Sequence, residues 1–340
     1  MQGWRSRAAR ASPQSRRSGG RNARVASPLL RATADAVAAM VVTLGAPLFR
    51  AVGNWPANFP RYLKQADKVG VQWRSTHYYH PTYRDADLPA DVTQPRDLPG
   101  VDLNTAAQRE LLASFAFQDE LAQLTAPEAG RPAFRYDAGG YGSGDADALY
   151  AMLRYLKPAR MIEVGSGNST LVAAKALARN AADGQACEHI CIEPYEKPWL
   201  ESVGAKVIRK KVESLGADFF DRLQAGDVLF IDSSHVIRPF GDVLTLYQAV
   251  IPRLAKGVIV HAHDIFTPFD YPETWLRAER RLWNEQYLLE AMIAHSPRYR
   301  VRLAMHWLAF HHAPLLARAF PSRDVEDYWS NSAFWFEVVE

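Results

Sequence analysis

Short apolar runs alternate with helical patterns along the second half of the chain. Met161 to Val164, His189 to Glu193, Lys206 to Lys210, Asp227 to Asp232 and Gly257 to His261 each read as a buried strand. Between them, Ser169 to Asn180 and Gly241 to Leu254 show helical spacing, the latter with Val243, Leu246, Tyr247, Val250 and Ile251 on one face. A helix carrying Leu149, Met152, Leu153 and Leu156 precedes the first strand and stops at Pro158. Strand and helix in strict alternation predict βαβ units, hence a doubly wound α/β fold built on a mostly parallel sheet. Beyond Pro272, the pattern predicts a long helix from Trp275 to His295, then two further apolar runs, RYRVRLAMHWLAFH and SAFWFEVV.

Upstream the pattern changes. Residues 53–135 are Pro-rich and aromatic, with Trp55, Trp73, Tyr78, Tyr79 and Tyr83, and they include a predicted helix from Asn104 to Leu124 whose buried face holds Leu111, Leu112, Phe115 and Leu121. This stretch reads as a separate irregular and helical lid or substrate region, ahead of a main domain over 136–340. Ala32 to Phe49 is an Ala-rich apolar segment of near-spanning length that carries Asp35, Gly45 and Pro47, so residues 32–52 are expected to form an amphipathic or packing helix. Membrane contact through residues 32–49 is the alternative. Residues 1–31 contain Arg5, Arg7, Arg10, Arg16, Arg17, Arg21, Arg24 and Arg31 and no acid, a basic arm expected to be disordered. A targeting segment, a tail and a start-site artefact all remain open for it.

The overall charge of +3 is therefore concentrated in the arm, and the remainder is mildly acidic. No Lys-rich or aromatic surface joins the arm, which argues against nucleic-acid binding. Cys187 and Cys191 fall in and beside an apolar strand, as buried reduced thiols would, and point to a cytoplasmic setting.

Candidate chemistry gathers at strand tips, where doubly wound sheets bind ligands. After the first strand comes Glu163-Val164-Gly165-Ser166-Gly167-Asn168-Ser169-Thr170, a glycine turn opening a helix, with Ser169 placed as its N-cap. Thr170 stands where a dinucleotide fingerprint wants a third small residue, which disfavours NAD. Glu193 ends the second strand, where a carboxylate can hold both hydroxyls of a ribose. The fourth strand delivers Asp232, Ser233, Ser234 and His235, and the fifth delivers His261, His263 and Asp264. Period-two geometry sets His261 and His263 on one face.

The form E-x-G-x-G-x-S/T, followed by IEP, IDSSH and HD, resembles the class I S-adenosylmethionine-dependent methyltransferases, in particular the bacterial sugar and natural-product O-methyltransferase group, over roughly Tyr141 to Glu340. That resemblance implies a seven-stranded sheet closed by an antiparallel pair from the last two apolar runs. It implies S-adenosylmethionine as cofactor, held by Glu163, Gly165, Ser166, Gly167, Ser169, Glu193, Glu213 and Asp232. It further implies methyl transfer to a hydroxyl oxygen of a small-molecule or saccharide acceptor. His263 or His235 is the expected base, with Asp232 and Asp264 orienting it or binding a divalent cation. A related-fold oxygenase and a non-catalytic scaffold are the rival readings. Oligomeric state is left open.

Overall fold

The computed structural model describes residues 28–127, 132–136, 140–195, 197–321 and 331–340. They fall into two compact units, one over 28–92 and one from Thr93 onward. Residues 93–135, expected with the lid, thus belong to the sheet-bearing unit. The basic arm up to residue 27 lies outside the described residues.

In the first unit, α1 (Pro28–Asn54) is a helix of 27 residues, and only Val52 and Gly53 in it are buried. The helix expected over residues 32–52 is present within α1, and most of it is uncovered rather than packed. A short helix, α2 (Pro60–Val69), follows.

The second unit opens with α3 (Thr105–Ser114) and α4 (Gln118–Leu121). The single helix predicted from Asn104 is broken here at Phe115, whose extended backbone turns its ring into the core beside Leu111, Leu112 and Leu121. Then α5 (Ser143–Leu156) leads into β1 (Arg160–Val164), α6 (Asn168–Ala182), β2 (Glu188–Ile192), β3 (Lys206–Ile208) and β4 (Val228–Ile231). Next come α7 (Asp242–Leu244), which continues as a π-wound turn over Thr245–Val250 until Pro252 ends it, and β5 (Ile259–Ala262). The chain closes with α8 (Glu285–Ile293), β6 (Tyr299–Ala304), α9 (Met305–His311), α10 (Ala313–Ala319) and β7 (Phe334–Val338).

These strands form one seven-stranded sheet in the order β3-β2-β1-β4-β5-β7-β6. The first five pair in parallel, and β7 runs antiparallel to both β5 and β6. The order reverses between β1 and β4, which puts the ligand crevice over their carboxyl ends. Alternation along each strand sorts side chains between two cores. Met161, Phe230 and Trp335 pack towards α5, α6, α9 and α10, while Ile162, Leu229 and Phe336 pack towards α7 and α8. Burial on both faces of β4 and β5, and of β1 and β2 beyond their first residues, explains why these strands read as unbroken apolar runs, while β3 lies at the sheet edge and is only partly buried.

Two predicted elements differ. The apolar run from Arg298 is strand only to Ala304, and its second half is α9. In place of a helix from Trp275 to His295 there is one π-wound turn (Thr274–Ala278), a left-handed residue at Arg280 (φ 53°), and then α8. Arg281 stacks over the rings of Trp275 and Trp283 at 3.9 and 4.5 Å, and this favours the break. The detour lays Asn284 and Glu285 against the end of β4, where both backbone N–H groups donate to the His235 carbonyl.

Candidate active site

Glu163 is fully buried at the end of β1. One of its oxygens accepts from Ser169 Oγ at 2.7 Å and Thr170 Oγ1 at 3.0 Å, and the other lies 2.9 Å from His189 Nε2 on β2. Its expected contact with a cofactor is therefore replaced by an internal role, that of clamping the glycine turn to the start of α6. Ser169 is drawn into that clamp and does not cap the helix. Gly167 occupies the cap position, and its N–H donates to Thr170 Oγ1 at 3.0 Å. Cys191 lies 3.5 Å from the same carboxylate, and burial pushes its thiol far up, so it is inert.

Above the clamp, Gly165 takes φ 79°, and a Cβ there would overlap the Asp232 carbonyl oxygen. The tips of β1 and β4 are that close because Asp232 N–H donates to Val164 O at 2.9 Å. Glu193, just beyond β2, has each carboxylate oxygen fixed by one backbone donor, Ser166 N–H at 3.1 Å and Tyr195 N–H at 2.8 Å. Each oxygen keeps further acceptor capacity. Gly165, Glu193, Glu213 and Asp232 line an open cleft of about 250 Å³. Ser166 and Gly167 instead meet Lys197, whose ammonium donates to Ser166 O at 3.0 Å, a contact the sequence did not signal.

Asp232 also belongs to a second group. Its Oδ1 lies 3.2 Å from His235 Nε2 and 3.7 Å from His263 Nδ1, and Asp264 Oδ2 lies 3.6 Å from each of the same nitrogens. Behind each ring stands a buried acid. Glu285 Oε2 is 2.8 Å from His235 Nδ1, and Asp145 Oδ2 is 3.3 Å from His263 Nε2. Asp145 sits inside the first turn of α5 and accepts from the backbone N–H groups of Ser332 and Ala333. Tyr141 stacks on His263 with ring centres 4.8 Å apart. His235 and Asp264 both hold left-handed backbone, φ 59° and 56°, conformations that concentrate at functional sites.

Electrostatics decide what the rings can do. Burial alone would lower His235, but hydrogen bonds to Asp232 and Glu285 and the charges of Glu285 and Asp264 outweigh it and raise the ring to about 10. For His263, burial is likewise overcome by Asp264 and Asp232, and its pKa rises well above the ordinary value. In return, burial's upward push on Asp232 is overcome by His263 and His235, and the carboxyl stays ionised. Both imidazoles are thus pushed above their ordinary range, which favours the protonated form and counts against His263 or His235 as a free general base. His261 differs again. It is fully buried between Phe230, at 4.2 Å, and Trp335, at 4.6 Å, and desolvation holds it neutral as a core residue.

Four acidic side chains surround the two imidazoles. The exposed side of this cluster is formed by Asp232 and Asp264, and donor atoms of Asp232, His235 and Asp264 lie within 4.8 Å of one another, a span one cation can bridge. Glu285 accepts from His235 Nδ1–H, so that Nε2, once deprotonated, could ligate a cation.

The family profile described as a methyltransferase domain, Methyltransf_24, matches residues 162–265, from the middle of β1 to just past β5. Over those residues the chain is similar to methyltransferase domains. No curated protein matches the chain significantly. Among solved structures, an O-methyltransferase from Bacillus cereus in complex with SAH is similar at 13% identity and a TM-score of 0.36, over 72% of this chain and 92% of that one. A putative protein-L-isoaspartate O-methyltransferase from Plasmodium falciparum, also with S-adenosyl-L-homocysteine, is similar at 16% identity and a TM-score of 0.27, over 46% and 83%. An uncharacterized protein from Burkholderia thailandensis follows at 12% and 0.29, over 71% and 95%. At such values nothing about substrate is taken from them. The cleft suits the cofactor expected from the sequence, S-adenosylmethionine, with a wall of bare backbone at Gly165 and a carboxylate held in place at Glu193.

Proposed function

We propose that the protein transfers the methyl group of S-adenosylmethionine to a hydroxyl oxygen of a small-molecule or saccharide acceptor, with a divalent cation at Asp232, His235 and Asp264. The observation that supports this best is the double membership of Asp232, which lines the cofactor cleft and also faces the imidazole cluster. Cofactor and acceptor sites therefore share a wall. Bound there, S-adenosylmethionine would supply an electrophilic sulfonium methyl and leave as the neutral thioether, and the cation would acidify the acceptor hydroxyl, whose proton passes to water in the open cleft.

The chain's own residues do the rest. Glu193 offers its two immobilised oxygens to the ribose hydroxyls. Asp232 and Asp264 accept hydrogen bonds from the acceptor hydroxyl, and the positive charge of His263 behind them keeps both ionised. Cation binding requires His235 Nε2 to give up its proton while Glu285 retains the Nδ1–H. The Trp283 ring lies 4.3 Å from His235 and gives the cluster an apolar border against which the flat face of a sugar or aromatic ring can rest.

The test uses the whole protein with methyl-labelled S-adenosylmethionine and pooled hydroxylated metabolites, followed by mass spectrometry. Products one methyl heavier, lost in Asp232→Asn, support the reading. Cofactor binding without any labelled product from the wild type speaks for the scaffold, and products that instead gain oxygen and depend on iron speak for the oxygenase.

A further inference from the structure

We infer that α1 inserts into a lipid bilayer and tethers the protein to it. The inference rests on surface chemistry and stands apart from the proposed reaction. In water an exposed helix keeps apolar residues to one stripe. On α1, three successive residues, Met40, Val41 and Val42, are 54%, 47% and 49% exposed. At 100° per residue they cover most of the circumference, and Leu44 and Leu48 extend the surface along the axis. A protein groove or a second copy of the helix covers one stripe of such a rod. Lipid covers all of it.

Length and flanks fit the same occupant. Arg31 and Arg50 bracket residues 32–49, a run of about 27 Å as a helix, close to the roughly 30 Å hydrocarbon thickness. Asp35 lies near one end, where it can reach headgroups. Before α1 the sequence is rich in arginine and has no acid, and after it come Arg61, Lys64 and Lys68, so basic groups stand at both ends where anionic headgroups would be. The carboxyl end of α1 also carries aromatic rings. Phe49 stacks on Trp73 at 4.0 Å, Trp73 N–H donates to the Tyr62 hydroxyl at 2.7 Å, and Ser75 is hydrogen-bonded to Asn54. Trp55, Tyr78 and Tyr79 in the same unit are 62%, 80% and 78% exposed, the amphipathic rings that settle at headgroup level.

The experiment is flotation of the full chain with phosphatidylcholine vesicles, with and without phosphatidylglycerol, followed by washes in high salt and alkaline carbonate. The expected result is co-flotation that phosphatidylglycerol strengthens and that survives both washes. Met40→Arg should weaken partitioning roughly a hundredfold, since an arginine at mid-helix depth is that costly. Its thermal melt should stay unchanged, because residue 40 is exposed. A wild-type chain that stays at the bottom of the gradient overturns the inference. So does a Met40→Arg chain that floats equally well, a dimer held through α1 in the absence of lipid, or a purified protein whose amino terminus has been cleaved beyond residue 54.

Discussion

Gly165→Ala is the sharpest perturbation of the cofactor turn. Two separable costs arise. The left-handed backbone at φ 79° costs a residue with a side chain about 1–2 kcal/mol. The new methyl would also overlap the Asp232 carbonyl oxygen and lie 2.8 Å from its carbonyl carbon, where real Cβ atoms keep at least 3.0 Å. Relief requires parting the tips of β1 and β4, which the hydrogen bond from Asp232 N–H to Val164 O holds together. Overpacking of this kind costs about 1–3 kcal/mol, for a total of about 3–4 kcal/mol and a fall in melting temperature of roughly 10 °C. Gly184→Ala is the control, since Gly184 has φ 89° with nothing within 4 Å of a built Cβ and so incurs the backbone cost alone. Differential scanning fluorimetry gives the two shifts, and calorimetry with S-adenosylmethionine should show at least a tenfold loss of affinity for Gly165→Ala and none for Gly184→Ala. If the two variants melt together and bind alike, the strand tips are not in the close approach on which the site depends.

Three further outcomes are expected. Glu193→Gln should raise the dissociation constant for S-adenosylmethionine by roughly 10- to 100-fold at unchanged melting temperature, as two charge-assisted contacts weaken; titration calorimetry reads it. Asp264→Asn should abolish calorimetric binding of magnesium or manganese, and chelation of the wild type should abolish methyl transfer while cofactor affinity stays within about twofold. Far from the site, Arg154 is buried and bonded to Glu120 at 2.7 Å, to Asp183 at 2.8 Å and to Asn180, so Arg154→Met should cost about 2–3 kcal/mol in urea unfolding. Burial pushes Glu120 up, but its hydrogen bonds with Arg154 and Tyr150 win and leave it below its ordinary 4.5, so its contribution is present above 4.5 and lost as pH falls through the lower folded value. Glu120→Gln should therefore lose less stability than the wild type on acidification below that point.

Why the sheet could be read from the sequence and the cluster only in part comes down to the range of the interactions concerned. Strands buried on both faces carry their signal locally, so all five parallel strands and their order of chemistry at the tips, Glu163, Glu193, Asp232 and Asp264, follow from apolar runs and glycines. Helix continuity is less local. The spacing from Trp275 onward looks helical, but a left-handed Arg280, followed by Arg281 stacked on two indole rings, breaks it, and that break is what carries Glu285 to His235, fifty residues away in sequence. The same distance hides the charge state of the site. An imidazole at a strand tip reads as a base when only its neighbours in sequence are known, because nothing in IDSSH or HAHD tells of Glu285 or Asp145. With an acidic side chain behind each ring and a shared pair in front, both imidazoles are pushed towards the protonated form, which counts against reading either as a base. An acid-base role read from a motif is accordingly secure only where the group behind the side chain comes from the same strand tip, and at His235 and His263 it comes from α8 and α5.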